Sequence, residues 1–194
     1  MTNRREFLQI GVSASAWPLL SRAAQAAGLE QSGTAIRIAT VVYDTRFADS
    51  VGFAERAAAL GLATRPIEAD MTRLWYDEIY HRWQREPAAI AGLTAHGPMF
   101  CFAELARDVR MRVVFRAEHR VAGTTAAHAI RGPVAMLDEA VTACRGPRFG
   151  AALANVVSRC PQGRTEIASA GVGRDTEPDE SALYTWVIAP ATRA

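Results

Sequence analysis

Lysine is absent from this chain of 194 residues, and all 22 of its basic side chains are arginine. That excludes a Schiff-base lysine, a lysine general base and any phosphate loop that depends on lysine. An anion bound by this protein must be held by arginine or by backbone N–H groups. Cysteine is scarce, with Cys101, Cys144 and Cys160 as the full set. Their spacing matches no zinc or iron–sulfur framework, which needs closely spaced Cys or Cys/His pairs. Neither G-x-G-x-x-G nor a Walker sequence occurs, which removes the usual dinucleotide and P-loop signatures. A G-x-S-x-G elbow is missing too, so an α/β-hydrolase nucleophile is excluded. The sequence also lacks a long apolar run. Its nearest approach, 7–20, is broken by Gly11, Ser13, Ser15 and Pro18, whereas a spanning helix needs about 20 mostly apolar residues.

What the N-terminus does contain is specific. Asn3-Arg4-Arg5-Glu6-Phe7-Leu8-Gln9 is followed by that weakly apolar run and then by Ala24-Gln25-Ala26, a small-x-small site cut before Ala27. The segment resembles the bacterial twin-arginine (Tat) export signal, with Arg4 and Arg5 as the paired arginines. The resemblance implies a signal peptide over 1–26, passage through the Tat translocase in the folded state, and a periplasmic address. No stable membrane anchor is expected after cleavage. A short linker, 27–34, then leads into a single domain over 35–194. Beyond the leader the chain is similar only in a general way to uncharacterised twin-arginine-signal proteins of proteobacteria.

The leader also accounts for the charge. Without Arg4, Arg5, Arg22 and Glu6, 19 Arg face 19 Asp plus Glu, so the formal charge of +2 falls to zero. Nucleic acid is therefore not an expected partner, because it needs a concentrated positive field.

From Ile36 onward, short apolar runs alternate with helical stretches. Strands are predicted at 36–42, 62–67, 88–93 and 111–115, and helices at 47–60, 71–85 and 98–110. Pro66 marks the second strand as an edge. Four β-α repeats in this order predict an α/β fold with a mostly parallel sheet and flanking helices, Rossmann-like and three-layered. A β-hairpin turning at Ala122-Gly123-Thr124-Thr125 is expected next, followed by helices at 134–144 and 149–159. The stretch 161–180 reads as a polar loop with a short strand near 165–168, and a last strand covers 183–189.

Candidate site residues follow from the rule that open parallel sheets bind ligands at the carboxyl ends of their strands. The first strand delivers Asp44 and Arg46, the third Thr94, His96 and Gly97, and the fourth Glu118 and His119. In this reading Arg46 holds a carboxylate, Thr94, Gly97 and Glu118 line the ligand, and His96, Asp44 or His119 moves a proton. A second constellation follows from the hairpin. A two-residue turn at Gly123-Thr124 makes cross-strand partners sum to 247, which sets His119 opposite His128 with Cβ atoms about 5 Å apart. Such a pair can share a metal ion, with His96 or Asp44 as the expected third ligand. Cys144 and Cys160 lie near helix ends and could form a disulfide. Cys101, near a helix start, is a nucleophile candidate or a core thiol. Trp75 and Trp83 are expected in the core, with Tyr76 and Tyr80 left for a partner surface.

Two functions fit these features. One is an exported periplasmic accessory protein, travelling with or binding a co-exported partner. The other is a small periplasmic enzyme or ligand-binding protein acting on a polar or acidic small molecule at the sheet edge. The sequence names no cofactor.

Overall fold

The computed structural model describes residues 35–122, 125–170 and 182–191. The leader with Arg4 and Arg5, the linker 27–34, the Gly123-Thr124 pair and the second half of the polar loop (171–180) lie outside the described residues. The strands are β1 (Ile38–Asp44), β2 (Thr64–Ile67), β3 (Ala89–Ala95), β4 (Met111–Ala122), β5 (Thr125–Pro133), β6 (Thr165–Ala170) and β7 (Leu183–Pro190). The helices are α1 (Ala48–Ala59), α2, α3 (His96–Asp108), α4 (Val134–Cys144) and α5 (Phe149–Val157). Helix α2 combines Thr72–Leu74, a π-helical turn at Trp75–Ile79, and Tyr80–Arg85.

All seven strands form one sheet in the order β2-β1-β3-β7-β4-β5-β6. The expectation of a mostly parallel, Rossmann-like sheet is overturned. Only β1–β2 and β1–β3 pair in parallel, and the other four pairs are antiparallel. The cause is β7. It enters between β3 and β4 and runs against both, so β4 points the same way as β3 without being its neighbour. The local β-α rhythm reports strand type and direction, but not which distant segment separates two strands. A signal for the central place of β7 is present in its run Leu-Tyr-Thr-Trp-Val-Ile-Ala. All seven of these residues are buried, and unbroken apolar runs mark strands covered on both faces.

Two hydrophobic clusters occupy the two faces. Helices α1, α4 and α5 contribute Phe53, Met136, Leu137, Ala140, Phe149 and Leu153 to one, against Leu93, Phe115, Ile130 and Val187 of the sheet. Helices α2 and α3 contribute Trp75, Trp83, Met99 and Phe102 to the other, against Ile90, Trp186 and Ile188. Because β-strand side chains alternate, a single strand feeds both clusters, as with Val187 in the first and Ile188 in the second. Helices α1 and α5 touch where Gly150 lies on the Asp49 backbone, so closely that a Cβ at position 150 would overlap the Asp49 carbonyl.

Candidate metal centre

One structural irregularity decides which face His119 occupies. Val113 pairs with Ile188 while Phe115 pairs with Val187, so β4 carries one extra residue at Val114. A bulge of this kind reverses the in–out order of every residue after it. Met111 therefore packs with α2 and α3, whereas Phe115 and Ala117 pack with α4 and α5. His119 follows the same alternation to the α4/α5 side. Across the hairpin it stands directly opposite His128, at the register that a two-residue turn dictates.

The two rings meet. His119 Nδ1 lies 2.8 Å from His128 Nδ1, and His119 Nε2 lies 2.8 Å from Thr185 Oγ1 on β7. Phe149, the first residue of α5, covers both rings with centroid separations of 4.5 and 5.4 Å. Cys144, the last residue of α4, completes the group. Ligand atoms of His119, His128 and Cys144 all fall within 4.8 Å of one another. Exposures of 1 %, 5 % and 2 % put the three out of reach of bulk water. Sequence reasoning missed Cys144, because a residue at a helix end reaches the hairpin only through tertiary packing.

Electrostatics follow from that burial. Burial, and then the neighbouring His128, hold His119 well below the usual histidine pKa of 6.5. His128 is lowered by burial and pulled partly back by Asp49. Burial pushes the Cys144 thiol up to about 12. One polar atom stays unmatched: His128 Nε2 is buried with no hydrogen-bond partner. In the Nδ1–Nδ1 contact one ring donates and the other accepts, so His128 Nε2 is left as either an orphan N–H or an orphan lone pair. Such a group costs about 1–3 kcal/mol.

The residues fit a transition metal. Two imidazoles and a thiolate are borderline-to-soft donors, of the kind preferred by zinc and copper. With bonds of about 2.0–2.3 Å, three ligand atoms spread around one ion lie about 3.5–3.8 Å from one another. The group, whose ligand atoms fall within 4.8 Å of one another, would therefore close by up to about 1 Å on binding. Thr185 already holds the second nitrogen of His119, the outer-shell contact that metal-ligating histidines commonly make. Among the described residues, no other group of His, Cys, Asp and Glu converges in this way.

No family model, curated protein or solved structure matches this chain. The site therefore stands on its own geometry.

The remaining sequence candidates do share one edge of the sheet, where β1, β3 and β4 end and β7 begins. They do not form an open centre there. Asp44 is fully buried and clamps Arg46 through Nε at 2.9 Å, Nη2 at 2.7 Å and the backbone N–H at 3.2 Å. Arg46 is thus already committed to a carboxylate of its own chain. Thr94 is buried; its Oγ1 donates to the Ala95 carbonyl and accepts the Trp186 indole N–H at 3.1 Å. Helix α3 begins at His96, with Ala95 as N-cap and no side-chain cap. His96 stacks on Phe100 and meets the edge of Tyr184. An added Cβ at Gly97 would meet nothing within 4 Å, so no close backbone approach requires glycine there. Glu118 faces away from the histidine pair and is held by Arg120 at 2.6 Å and Arg116 at 3.7 Å. Neither Asp44 nor His96 joins the histidine pair; the third residue of the group is Cys144.

All three cysteines are free, so Cys144 and Cys160 are not bridged. Cys160 is buried, with its thiol likewise pushed up to about 12, and Cys101 is exposed. The α2 aromatics divide as expected, with Trp75 and Trp83 buried and Tyr76 and Tyr80 exposed. Among the described residues, no helix is long and apolar enough to cross a membrane.

The Asp44–Arg46 clamp carries a prediction about structure rather than activity. Asp44→Ala should cost about 1–3 kcal/mol in urea unfolding, because it strips a buried partner set and frees a guanidinium at the end of β1. Bound metal per chain should not change. A variant as stable as the parent would mean that the clamp contributes nothing.

Proposed function

We propose that this chain is an exported periplasmic protein whose domain serves as a metal-holding accessory to a co-exported or resident partner. The observation that carries the reading is the buried convergence of His119, His128 and Cys144, with one histidine nitrogen left without a partner. Export in the folded state suits a protein of this kind, since an enclosed ion can be acquired before the translocase is reached. An accessory role is favoured over catalysis by the closure of the centre. Phe149 lies over both rings, and the ligands are too buried for a substrate to approach. The sheet-edge reading as an enzyme or small-molecule binder is weaker, because Arg46 and Glu118 are already paired within the chain.

The test is expression of the full chain in a bacterium, with cell fractionation and elemental analysis of the purified protein. About one equivalent of a first-row transition metal is expected. Cys144→Ser and His128→Gln should each lower metal retention at least about 100-fold while the circular dichroism spectrum is kept. Replacing both Arg4 and Arg5 by lysine should leave the protein in the cytoplasm. A metal-free wild type that also fails to take up metal during refolding would sink the proposal.

A further inference from the structure

Resting on the metal-holding reading above, the geometry points to copper in its monovalent state as the ion that this centre selects. The first ground is coordination number. Three ligand atoms converge among the described residues, and Cu(I) is satisfied by three. Zinc in a structural site takes four protein ligands, and in a catalytic site it keeps a water in the fourth position. The surroundings here are hydrophobic. Phe149 covers both rings, and Phe115, Ala117, Ala140 and Leu183 belong to the same buried cluster as Cys144.

The second ground is charge. Two neutral imidazoles and one thiolate sum to −1. A monovalent ion gives a neutral centre, whereas a divalent ion leaves +1 in a core from which water is excluded, and burying an unpaired charge is strongly unfavourable. Asp49 is the carboxylate that acts on His128, but it is a poor counter-charge for a divalent ion. Its Oδ1 faces the Gly150 N–H at 3.4 Å, and it borders an open hollow that also holds Glu55, Arg56 and Arg148. The charges around that hollow already balance.

The third ground is donor type, because a thiolate with two imidazoles in a three-ligand site is a recognised copper set. Loading balances simply. The Cys144 S–H bond breaks, a copper–sulfur bond forms, and one proton leaves to solvent. The Nδ1–Nδ1 hydrogen bond between the histidines gives way to nitrogen–metal contacts. No change of oxidation state is needed when copper arrives as Cu(I).

The experiment titrates the full chain anaerobically with Cu(I) against a chromophoric Cu(I) chelator, and separately with Zn(II) against a zinc indicator. Because any thiol attracts Cu(I), the titration is run on wild type and on the Cys101→Ser/Cys160→Ser double variant, which keeps Cys144 alone. The expected result is one equivalent of Cu(I) in both proteins, held at least about 100-fold more tightly than Zn(II). X-ray absorption should show one sulfur and two nitrogen neighbours, and one proton should be released per ion. Adding Cys144→Ser, or in a second variant His119→Gln, should weaken Cu(I) at least about 100-fold. Tight Zn(II) with weak Cu(I) at these residues would overturn the copper assignment and leave the metal-holding reading intact. Loss of Cu(I) binding in the double variant would place the copper on Cys101 or Cys160 and overturn the assignment as well. No binding of either ion would remove both readings together.

Discussion

Gly150→Ala is expected to destabilise this protein by roughly 3–5 kcal/mol, more than any other single methyl addition among the described glycines. Two effects oppose each other. Alanine in place of glycine in a helix gains up to about 1 kcal/mol through backbone entropy and propensity. Against that, the new methyl would overlap the Asp49 carbonyl, and the overlapped atoms are backbone, so no rotamer change relieves the clash. Helix α1 must separate from α5, and α5 carries Phe149 over the histidine pair. The clash wins. For a domain of this size the thermal midpoint should fall by about 10 °C, and retained metal should fall with it. Gly52→Ala is the control, since an added Cβ there meets nothing within 4 Å. That variant should be equal to the parent or gain up to about 1 kcal/mol. Equal midpoints for the two variants would refute the close approach of α1 and α5.

Acid should unfold the metal-free protein earlier than its carboxylates alone would require. His119 is buried neutral, with its pKa held well below 6.5 by burial and by His128. In the unfolded chain the same ring takes up a proton near pH 6.5. Below that pH the unfolded state binds more protons than the folded one, so stability falls as pH falls. The contribution is fully present above pH 6.5. It is lost toward the depressed folded value, with a slope approaching about 1.4 kcal/mol per pH unit for this group. His128 acts in the same direction with a smaller shift. Asp49 acts in the opposite direction in a lower window. Burial raises its carboxyl above 3.8, so its contribution is present at low pH and lost as pH rises. Urea midpoints between pH 5 and pH 7.5 measure the balance, and His119→Gln should flatten the profile. A parent with no slope below pH 6.5 would contradict a buried neutral histidine pair. Bound metal should steepen the slope instead, because it keeps the histidine nitrogens and the Cys144 sulfur free of protons that the unfolded chain takes up.

The elements themselves were legible in the sequence because each is written locally. The apolar spacing of 47–60, the Pro98 near a helix start and the Gly123-Thr124 turn each depend on a few neighbouring residues, and strands and helices fall where they indicate. The opposition of His119 and His128 was legible for the same reason, since turn length alone fixes hairpin register. What failed to show was non-local. The buried run from Leu183 to Ala189 marks a central strand, but nothing in it says that β3 and β4 are its two partners. Nothing near Val114 says that an extra residue there swaps the faces of Glu118 and His119. Cys144 reads as an ordinary helix-end cysteine until α4 is laid across β5. Asp44 and Arg46 mislead in the other direction. Both are at the expected edge, but two residues of separation at a strand end let them satisfy one another.

The place of β7 in the sheet also bears on how the protein is made. Its partners β3 and β4 come from residues 89–122, yet they are joined only by residues 183–190. During synthesis the β2-β1-β3 block and the β4-β5-β6 block leave the ribosome first, each with an unsatisfied edge facing the other. The sheet stays in two halves until Pro190 has cleared the exit tunnel. Until then the facing edges of β3 and β4 have no partner, and the seven-stranded sheet exists only once β7 closes the gap.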